Sequence, residues 1–197
     1  MLSNIYGFKV KTCIWKRCYL SVLNSVKWRW EDLLFSLSSK IIFWVTTLTK
    51  DIRFKVLIAD DTFYNRTRSK AVELLSWVYD HVDGKSKKGF TKLTLGWSDG
   101  HTFLPIQFRL VSSINYKNIK TKSEYVKEKY PGFTRRIQAK KKKTELLFEM
   151  VQSVIDNSIH YNHLLFDSWF AFPKIITSVL TTIFLLYCKE KIKWIII

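Results

Sequence analysis

Apolar and polar positions alternate along the chain in a way that predicts a long helix and then a strand. Between residues 30 and 48 apolar side chains recur at helical spacing, which indicates a helix, with Ser38 and Ser39 weakening its middle. Residues 56–59 form a short apolar run that leads directly into Asp60 and Asp61, and such a run is typical of a buried strand. The two carboxylates are therefore expected where that strand ends.

A β-hairpin is predicted further along the chain. Residues 90–97 and 102–111 each alternate in part between apolar and polar side chains, and the Asp-Gly type of sequence at 98–101 joins them. Pro105 indicates an edge strand or a bulge on the second arm. Residues 71–79 are apolar on several sides, and their pattern is compatible with either a helix or a strand.

The following segment is polar and basic before helix and strand patterns return. Residues 112–143 contain few long apolar side chains, and the Pro-Gly pair at 131–132 interrupts them, which predicts a loop. Thr144 has the character of a helix cap, and an apolar stripe with helical spacing follows it. The run 163–166 then predicts a strand that ends at Asp167.

The order strand, hairpin, basic loop, helix and strand predicts the fold class. A three-stranded antiparallel start, followed by a helical crossover to a fourth strand parallel to the first, is the RNase H-like arrangement. We therefore expect an α/β fold with an RNase H-like mixed sheet and flanking helices, incomplete at the C-terminus. In this arrangement the first and last strands are neighbours whose carboxyl ends point the same way, so Asp61 and Asp167 are expected to meet at one edge.

Two aspartates at one sheet edge are suited to hold divalent metal ions. Carboxylate oxygens are hard ligands that match Mg²⁺, and a short side chain keeps the ion near rigid backbone. Phosphodiester cleavage uses one or two such ions, about 3.5–4 Å apart when paired, and needs no covalent protein intermediate. Helix capping or surface solvation is the alternative role of such aspartates, and the pair alone does not exclude it.

The charge of the chain favours a polyanionic partner. It carries 33 Lys and Arg against 16 Asp and Glu, a net charge of +17, which attracts nucleic acid ahead of an anionic membrane surface. A Lys-rich compositional bias of the source is an alternative partial cause. Cys13, Cys18 and Cys188 match no zinc pattern, and residues 1–12 show no secretory signal, so reduced thiols in the cytoplasm are expected.

Seven motifs between residues 58 and 173 belong together as a set. They are Ile58-Ala-Asp-Asp-Thr62, Arg68-Ser-Lys-Ala-Val-Glu-Leu-Leu75, Tyr79-Asp-His81, Lys88-Gly-Phe90, Leu93-Thr-Leu-Gly-Trp-Ser-Asp-Gly100, Phe103-Leu-Pro105 and Leu165-Phe-Asp-Ser-Trp-Phe-Ala-Phe-Pro173. The set resembles the DDE transposases, and in particular the bacterial insertion-sequence transposases whose third motif reads Tyr-Arg-Glu-Lys. The resemblance covers residues 30–178.

The resemblance implies a transposase that performs metal-dependent DNA cleavage and strand transfer in cut-and-paste transposition. It implies Mg²⁺ as the cofactor, with Mn²⁺ able to substitute, and the double-stranded DNA of transposon ends as the substrate. Asp61 then corresponds to the first metal ligand and Asp167 to the second, whereas the role of Asp60 stays open. A homodimer or pairing with an intact transposase, a nucleoid-associated location in the cytoplasm and no membrane association are also expected.

The sequence departs from the family where a third acid is expected. That residue is a glutamate far downstream in the family, whereas Glu190 is the sole acid after Asp167 and is better explained as a solvated side chain. The chain is therefore divided into 1–29, a leader or residual N-terminal region, 30–178, a partial catalytic domain, and 179–197, an apolar and basic tail. We expect a truncated chain that is inactive alone. A catalytically dead DNA-binding or transposase-pairing remnant is the alternative.

Basic side chains that could contact DNA cluster in two parts of the sequence, although a solvated surface is the alternative role for each of them. The candidates are Arg66, Arg68, Arg135, Arg136, Lys140, Lys141, Lys142 and Lys143. The apolar segment 175–187 is shorter than the roughly twenty residues that span a bilayer, so a buried or disordered tail is expected there. A basic membrane-associated protein that uses this tail is a third hypothesis.

Overall fold

A computed structural model describes residues 20–49, 53–80, 82–121, 125–167 and 170. Its strands are β1 (Val56–Asn65), β2 (Ser76–Asp80), β3 (Lys85–Ser98), β4 (Phe103–Val111) and β5 (His163–Phe166). Its helices are α1 (Trp30–Leu48), α2 (Pro131–Gln138) and α3 (Lys143–Asp156), with a short 3₁₀ turn at Tyr116–Asn118. Residues 1–19 and 171–197, which include most of the predicted leader and the whole predicted tail, lie outside the described residues.

The strands form one mixed sheet of five strands. The long strand β3 pairs antiparallel with β1 on one side, and on its other side with β2 and then β4. Strand β5 lies beyond β1 and pairs with it in parallel. The predicted mixed sheet with flanking helices is therefore confirmed, as is the hairpin between β3 and β4.

Strand β1 is longer than the apolar run predicts. The interpretation that Asp60 and Asp61 terminate the strand is wrong, because β1 continues to Asn65. The cause is the partner strand: every residue from Val56 to Asn65 has a Cα partner on β3. The parallel partner β5 reaches only as far as Ala59, so the two aspartates lie where β1 loses one of its two neighbours.

The choice left open for residues 71–79 is decided for a strand in their second half, which belongs to β2. Two further local predictions need correction. The loop predicted at the Pro-Gly pair is instead the start of α2, which begins at Pro131. Proline suits this position because its missing N–H costs nothing there and its fixed φ fits the first turn. Thr144 is not a cap, because α3 begins one residue earlier at Lys143 and has no side-chain cap.

The core lies between α3 and the sheet. The helix presents an apolar face to β3 and β4, as its stripe predicts. The largest side chains buried in this core are Leu57, Leu93, Leu95, Trp97, Ile106, Leu146, Leu147, Met150, Val154 and Leu164. The indole Nε1–H of Trp97 donates to the carbonyl of His160 at 3.2 Å. This bond ties the segment that leads into β5 to the centre of the sheet.

Helix α1 packs on β4 through a polar contact that its sequence pattern did not predict. Ser38 is 4% exposed and donates its hydroxyl to the carbonyl of Pro105 at 2.7 Å. Near the start of the same helix, Glu31 pairs with Arg109 at 2.7 Å. Ser38 therefore helps to dock α1 rather than weaken it.

The hairpin turn is fixed by one buried carboxylate. Asp99 accepts hydrogen bonds from the backbone N–H of His101 and of Thr102, at 3.1 and 2.7 Å, and from the guanidinium of Arg53 at 2.8 Å. Gly100 follows with a φ of +86°, which a glycine adopts without strain. Burial acts to raise the pKa of Asp99, but these hydrogen bonds outweigh it and lower that pKa to about 2.

Replacing Gly89 with Ala is expected to destabilise the sheet, because the added Cβ would lie 2.4 Å from the backbone carbonyl oxygen of Tyr64 on β1. We expect the free energy of unfolding in urea to fall by about 1–3 kcal/mol. Gly96→Ala is the matched control: its Cβ would also meet an atom at 2.4 Å, but that atom belongs to the ring of Phe103. This ring is 55% exposed and can turn away. Equal losses in the two variants would contradict the prediction.

The turn should also make stability depend on pH. Because the pKa of Asp99 falls from 3.8 to about 2 on folding, its contribution is present above the unfolded value and is lost as the pH falls toward 2. Arg53→Met should lower the free energy of unfolding by about 1–2 kcal/mol at about pH 7, and by clearly less at about pH 2. Urea unfolding at both pH values measures this. An equal loss at both would assign Arg53 a packing role instead.

Candidate metal and nucleic-acid site

The site begins where the parallel pairing of β1 with β5 ends. The last Cα pair between β1 and β5 joins Ala59 and Phe166. Asp167 follows Phe166 directly, and Asp61 lies two residues beyond Ala59. The sheet therefore brings the backbones of both predicted metal ligands to the same edge, although the residues are far apart in sequence.

Alternation along β1 separates the two neighbouring aspartates. Leu57 and Ala59 point into the core, and Asp61 shares their face of the strand. Its side chain is 16% exposed and lines a cleft of about 770 Å³. Asp60 is exposed, points to the other face and is not in the wall of that cleft. Asp167 is also exposed.

A lysine from α3 reaches Asp61. Lys143 is the first residue of that helix, and its ammonium donates to Oδ2 of Asp61. The same ammonium lies 5.9 Å from the centre of the Phe170 ring. The sequence identifies Lys143 only as one of four lysines in a row, because its contact with Asp61 spans 82 positions and leaves no local signal.

The cleft is walled by strands on one side and by the start of α3 on the other. Lys141 and Lys142 line it beside Lys143, so positive charge surrounds the Asp61 carboxylate. Its other walls carry aromatic, apolar and hydroxyl side chains, which the sequence analysis did not assign to the site. These are Thr62, Phe63, Trp77, Val78, Tyr79, Val82, Thr91, Val111, Ser112, Ser113, Ile114, Thr144 and Phe170. The carboxylate of Asp80 also lines the cleft, and it forms an ion pair with Lys87 at 3.0 Å.

The four lysines differ in their surroundings. Lys141 forms an ion pair with Glu149, and Lys143 forms one with Asp61. Lys140 and Lys142 are exposed, and Lys142 alone of these two lines the cleft. The predicted lysine run is thus placed next to Asp61, but half of it is engaged by carboxylates.

The predicted arginines lie elsewhere. Arg66, Arg135 and Arg136 line a second cleft of about 430 Å³, which Asp61 does not reach. Arg66 stacks on the ring of Tyr64, 4.4 Å from its centre. Arg68 is exposed and lies in the wall of neither cleft. The structure therefore divides the candidate DNA contacts into two groups.

Two carboxylates within the second cleft engage its cations. The guanidinium of Arg136 donates through Nε and Nη2 to the two oxygens of Glu73, both at 2.6 Å. Glu31 pairs with Arg109, and burial raises the pKa of Glu31 despite that cation and the charge of Arg135 nearby. Arg136 therefore has a structural role through its ion pair with Glu73. Its position in a basic run of the sequence did not indicate this role.

The donor chemistry at the shared edge fits a divalent cation. Carboxylate oxygens of Asp61 and Asp167 are the hard ligands that such ions prefer. The Asp61 carboxylate already binds one cation, the ammonium of Lys143. Among the described residues, no three His, Cys, Asp or Glu side chains are grouped closely enough to hold a metal ion. Asp61 and Asp167 are thus the two candidate ligands at this edge, whereas Asp80, which also lines the cleft, is paired with Lys87.

Comparison with known proteins gives the family. A family model described as DDE superfamily endonuclease matches residues 16–187, which is most of the chain. The chain therefore belongs to the DDE superfamily endonucleases, whose members act on DNA and typically use divalent metal ions. No curated protein and no solved structure was found to match the chain.

The residues matched by the family model differ from the predicted domain boundaries but do not test them. The matched range begins within the predicted leader and ends within the predicted tail, and the boundaries at 30 and 178 stay predictions. Glu190 lies outside the described residues, as does the apolar segment 175–187. Within the described part of the chain, no helix combines the length and apolar character that crossing a membrane requires.

Arg136→Lys tests the structural assignment of Arg136. The substitution keeps the charge but loses the paired donation to Glu73, so the free energy of unfolding should fall by about 1 kcal/mol. Arg135→Lys is the control, since Arg135 has no carboxylate pair among the described residues, and it should change stability by less than about 0.5 kcal/mol. Urea unfolding measures both. A loss confined to Arg135→Lys would contradict the assignment.

Proposed function

We propose that this chain is a transposase-type DDE protein, built for metal-dependent cleavage and strand transfer of DNA in cut-and-paste transposition. The observation that carries the proposal is the parallel pairing of β1 with β5, which ends where Asp61 and Asp167 follow. Membership in the DDE superfamily endonucleases supports it independently. The group with a Tyr-Arg-Glu-Lys third motif is the proposed subtype, on the resemblance of the motifs.

The sheet order supports an RNase H-like fold for the domain. An antiparallel set of strands comes first, and the chain then crosses through α3 to a strand parallel to β1. That crossover pairs β5 with the first four residues of β1, so Asp61 and Asp167 follow the end of the parallel pairing. The carboxyl ends of parallel strands are where α/β proteins build their sites. The RNase H-like assignment therefore agrees with both the topology and the family.

In the proposed site Asp61 and Asp167 would hold Mg²⁺, with Mn²⁺ able to substitute. When bound, such ions supply an activated water or 3′-hydroxyl and stabilise the leaving oxygen. Asp61 is positioned for this by its strand, because the alternation of β1 turns it toward the cleft and turns Asp60 away. Strand backbone on both sides of Asp61 limits how far its carboxylate can move, and Asp167 directly follows β5.

Double-stranded DNA, in particular a transposon end, is the proposed substrate. Lys141, Lys142 and Lys143 line the cleft that holds Asp61, so their charges would contact phosphates next to the reacting one. Arg66 and Arg135 would contact DNA at the second cleft, and the exposed Arg68 would contact it outside both clefts. Assembly as a homodimer or with an intact transposase, and a nucleoid-associated location in the cytoplasm, complete the proposal.

A second candidate function is a DNA-binding or transposase-pairing remnant that cannot cleave. The observation that favours it is the missing third acid among the described residues. Glu190 stays a weak candidate on its sequence context alone. This candidate keeps the DNA-binding lysines and the subunit contacts but removes the chemistry, so it differs from the first in one measurable property.

Metal binding tests the site directly. We expect Asp61→Asn and Asp167→Asn each to weaken Mn²⁺ binding, followed by electron paramagnetic resonance, by at least about tenfold, because each removes a charged ligand. Asp60→Asn makes the same charge change one residue away on the opposite strand face and should weaken it by less than about threefold. Equal effects of Asp60→Asn and Asp61→Asn would remove Asp61 from the site.

Supercoiled-plasmid nicking in Mg²⁺ or Mn²⁺ separates the two functions. Nicking that is lost in Asp61→Asn and Asp167→Asn supports the transposase. Salt-sensitive DNA binding without nicking in either metal supports the remnant. Nicking that survives both substitutions would contradict the proposed site.

A further inference from the structure

The ion pair between Lys143 and Asp61 has a consequence for metal binding. The ammonium of Lys143 lies directly on Oδ2 of the carboxylate, and both side chains are only partly exposed, at 34% and 16%. Partial burial strengthens such a pair relative to one on the open surface. Asp61 is thus held by a cation that belongs to the chain itself.

A divalent ion and the ammonium cannot both occupy the same oxygen. Two positive centres at that separation repel each other strongly in a cleft of reduced polarity. A divalent ion that takes Oδ2 must therefore displace Lys143, and an ion on Oδ1 alone would still be weakened by the ammonium beside it. The apparent metal affinity then equals the intrinsic affinity multiplied by the fraction of molecules in which the ion pair is open.

A DNA phosphate would be the new partner of the displaced ammonium. Lys143 lies at the start of α3, between the strand edge and a cleft wall that also carries Lys141 and Lys142. A DNA strand that reaches Asp61 must pass this wall, and its phosphates are the strongest anions that Lys143 could meet there. A lysine side chain is long and flexible enough to exchange one oxygen partner for another nearby.

We propose that Lys143 alternates between the Asp61 carboxylate and a DNA phosphate, and thereby couples metal binding to DNA binding. The inference rests on the proposed function. In the free protein Lys143 occupies Asp61 and weakens metal binding. When DNA draws the ammonium away, Asp61 becomes available to the ion, and by reciprocity a bound ion makes Lys143 available to DNA.

Among the lysines lining the cleft, only Lys143 contacts Asp61 in the described structure. Lys141 is engaged by Glu149, and Lys142 is exposed. Lys142→Gln therefore removes the same charge from the same cleft wall without touching the Asp61 pair, which makes it the matched control. Lys143→Arg keeps a cation beside Asp61 and is the conservative variant.

The experiment measures Mn²⁺ affinity of the full chain by electron paramagnetic resonance, without DNA. Lys143→Gln should bind Mn²⁺ about five- to tenfold more tightly than the wild type, as expected if the pair is closed in roughly nine molecules in ten. Lys142→Gln should stay within about twofold, and Lys143→Arg should bind no more tightly than the wild type. Circular dichroism establishes that each variant is folded.

A second measurement on the wild type keeps the inference testable if Lys143→Gln does not fold. Fluorescence anisotropy with a labelled DNA duplex, at constant ionic strength, should show tighter binding by the wild type when Mg²⁺ is present, and Lys143→Gln, where folded, should lack this gain. Equal Mn²⁺ affinity in wild type and Lys143→Gln, or no Mg²⁺ effect on wild-type DNA binding, overturns the inference and leaves the proposed function standing. No Mn²⁺ binding in any variant overturns both.

Discussion

The parallel pairing of β1 with β5 extends over four residues on each strand, yet every feature of the candidate site depends on it. It joins two strands between which three other strands and two helices lie in the sequence. The pairing ends just before Asp61 and Asp167. Loop-closure entropy opposes such a contact. The pairing persists because the same faces of both strands are buried: Leu57 and Leu164 are Cα partners, and each is 0% exposed. Apolar burial therefore sets the position of the polar chemistry.

Helix α3 links the core to the site. Its buried side chains face β3 and β4, and this packing fixes where its first turn emerges. That turn carries Lys143 to Asp61 and places Lys141 and Lys142 in the wall of the same cleft. Because core packing tolerates little displacement, the helix fixes the backbone position of Lys143 and of the two lysines that precede it. The apolar packing and the cation that contacts Asp61 thus belong to one element.

The sequence predicted those features that local pattern determines and missed those that distant contacts determine. Periodicity was sufficient for α1, for the β3–β4 hairpin and for most of α3, and the resemblance identified the family. The true end of β1 was hidden, because it depends on pairing with β3 rather than on apolar residues. The partners of Lys143 and Arg136 were hidden for the same reason, because each lies far away in the chain. The helix at Pro131 differs: proline at the first helical position is a local signal, and the polar composition around it was read as a loop.

The count of 33 Lys and Arg side chains overstates the number of cations that DNA would meet. Arg53, Arg109 and Arg136 are paired with Asp99, Glu31 and Glu73 and so stabilise the fold. A cation held in this way releases little free energy on meeting a phosphate, because it must first give up its carboxylate. The salt dependence of DNA binding counts only those cations that neutralise phosphates. The salt dependence should therefore reflect exposed side chains such as those of Lys140 and Lys142. Lys143 should contribute to it only when another cation binds the Asp61 carboxylate.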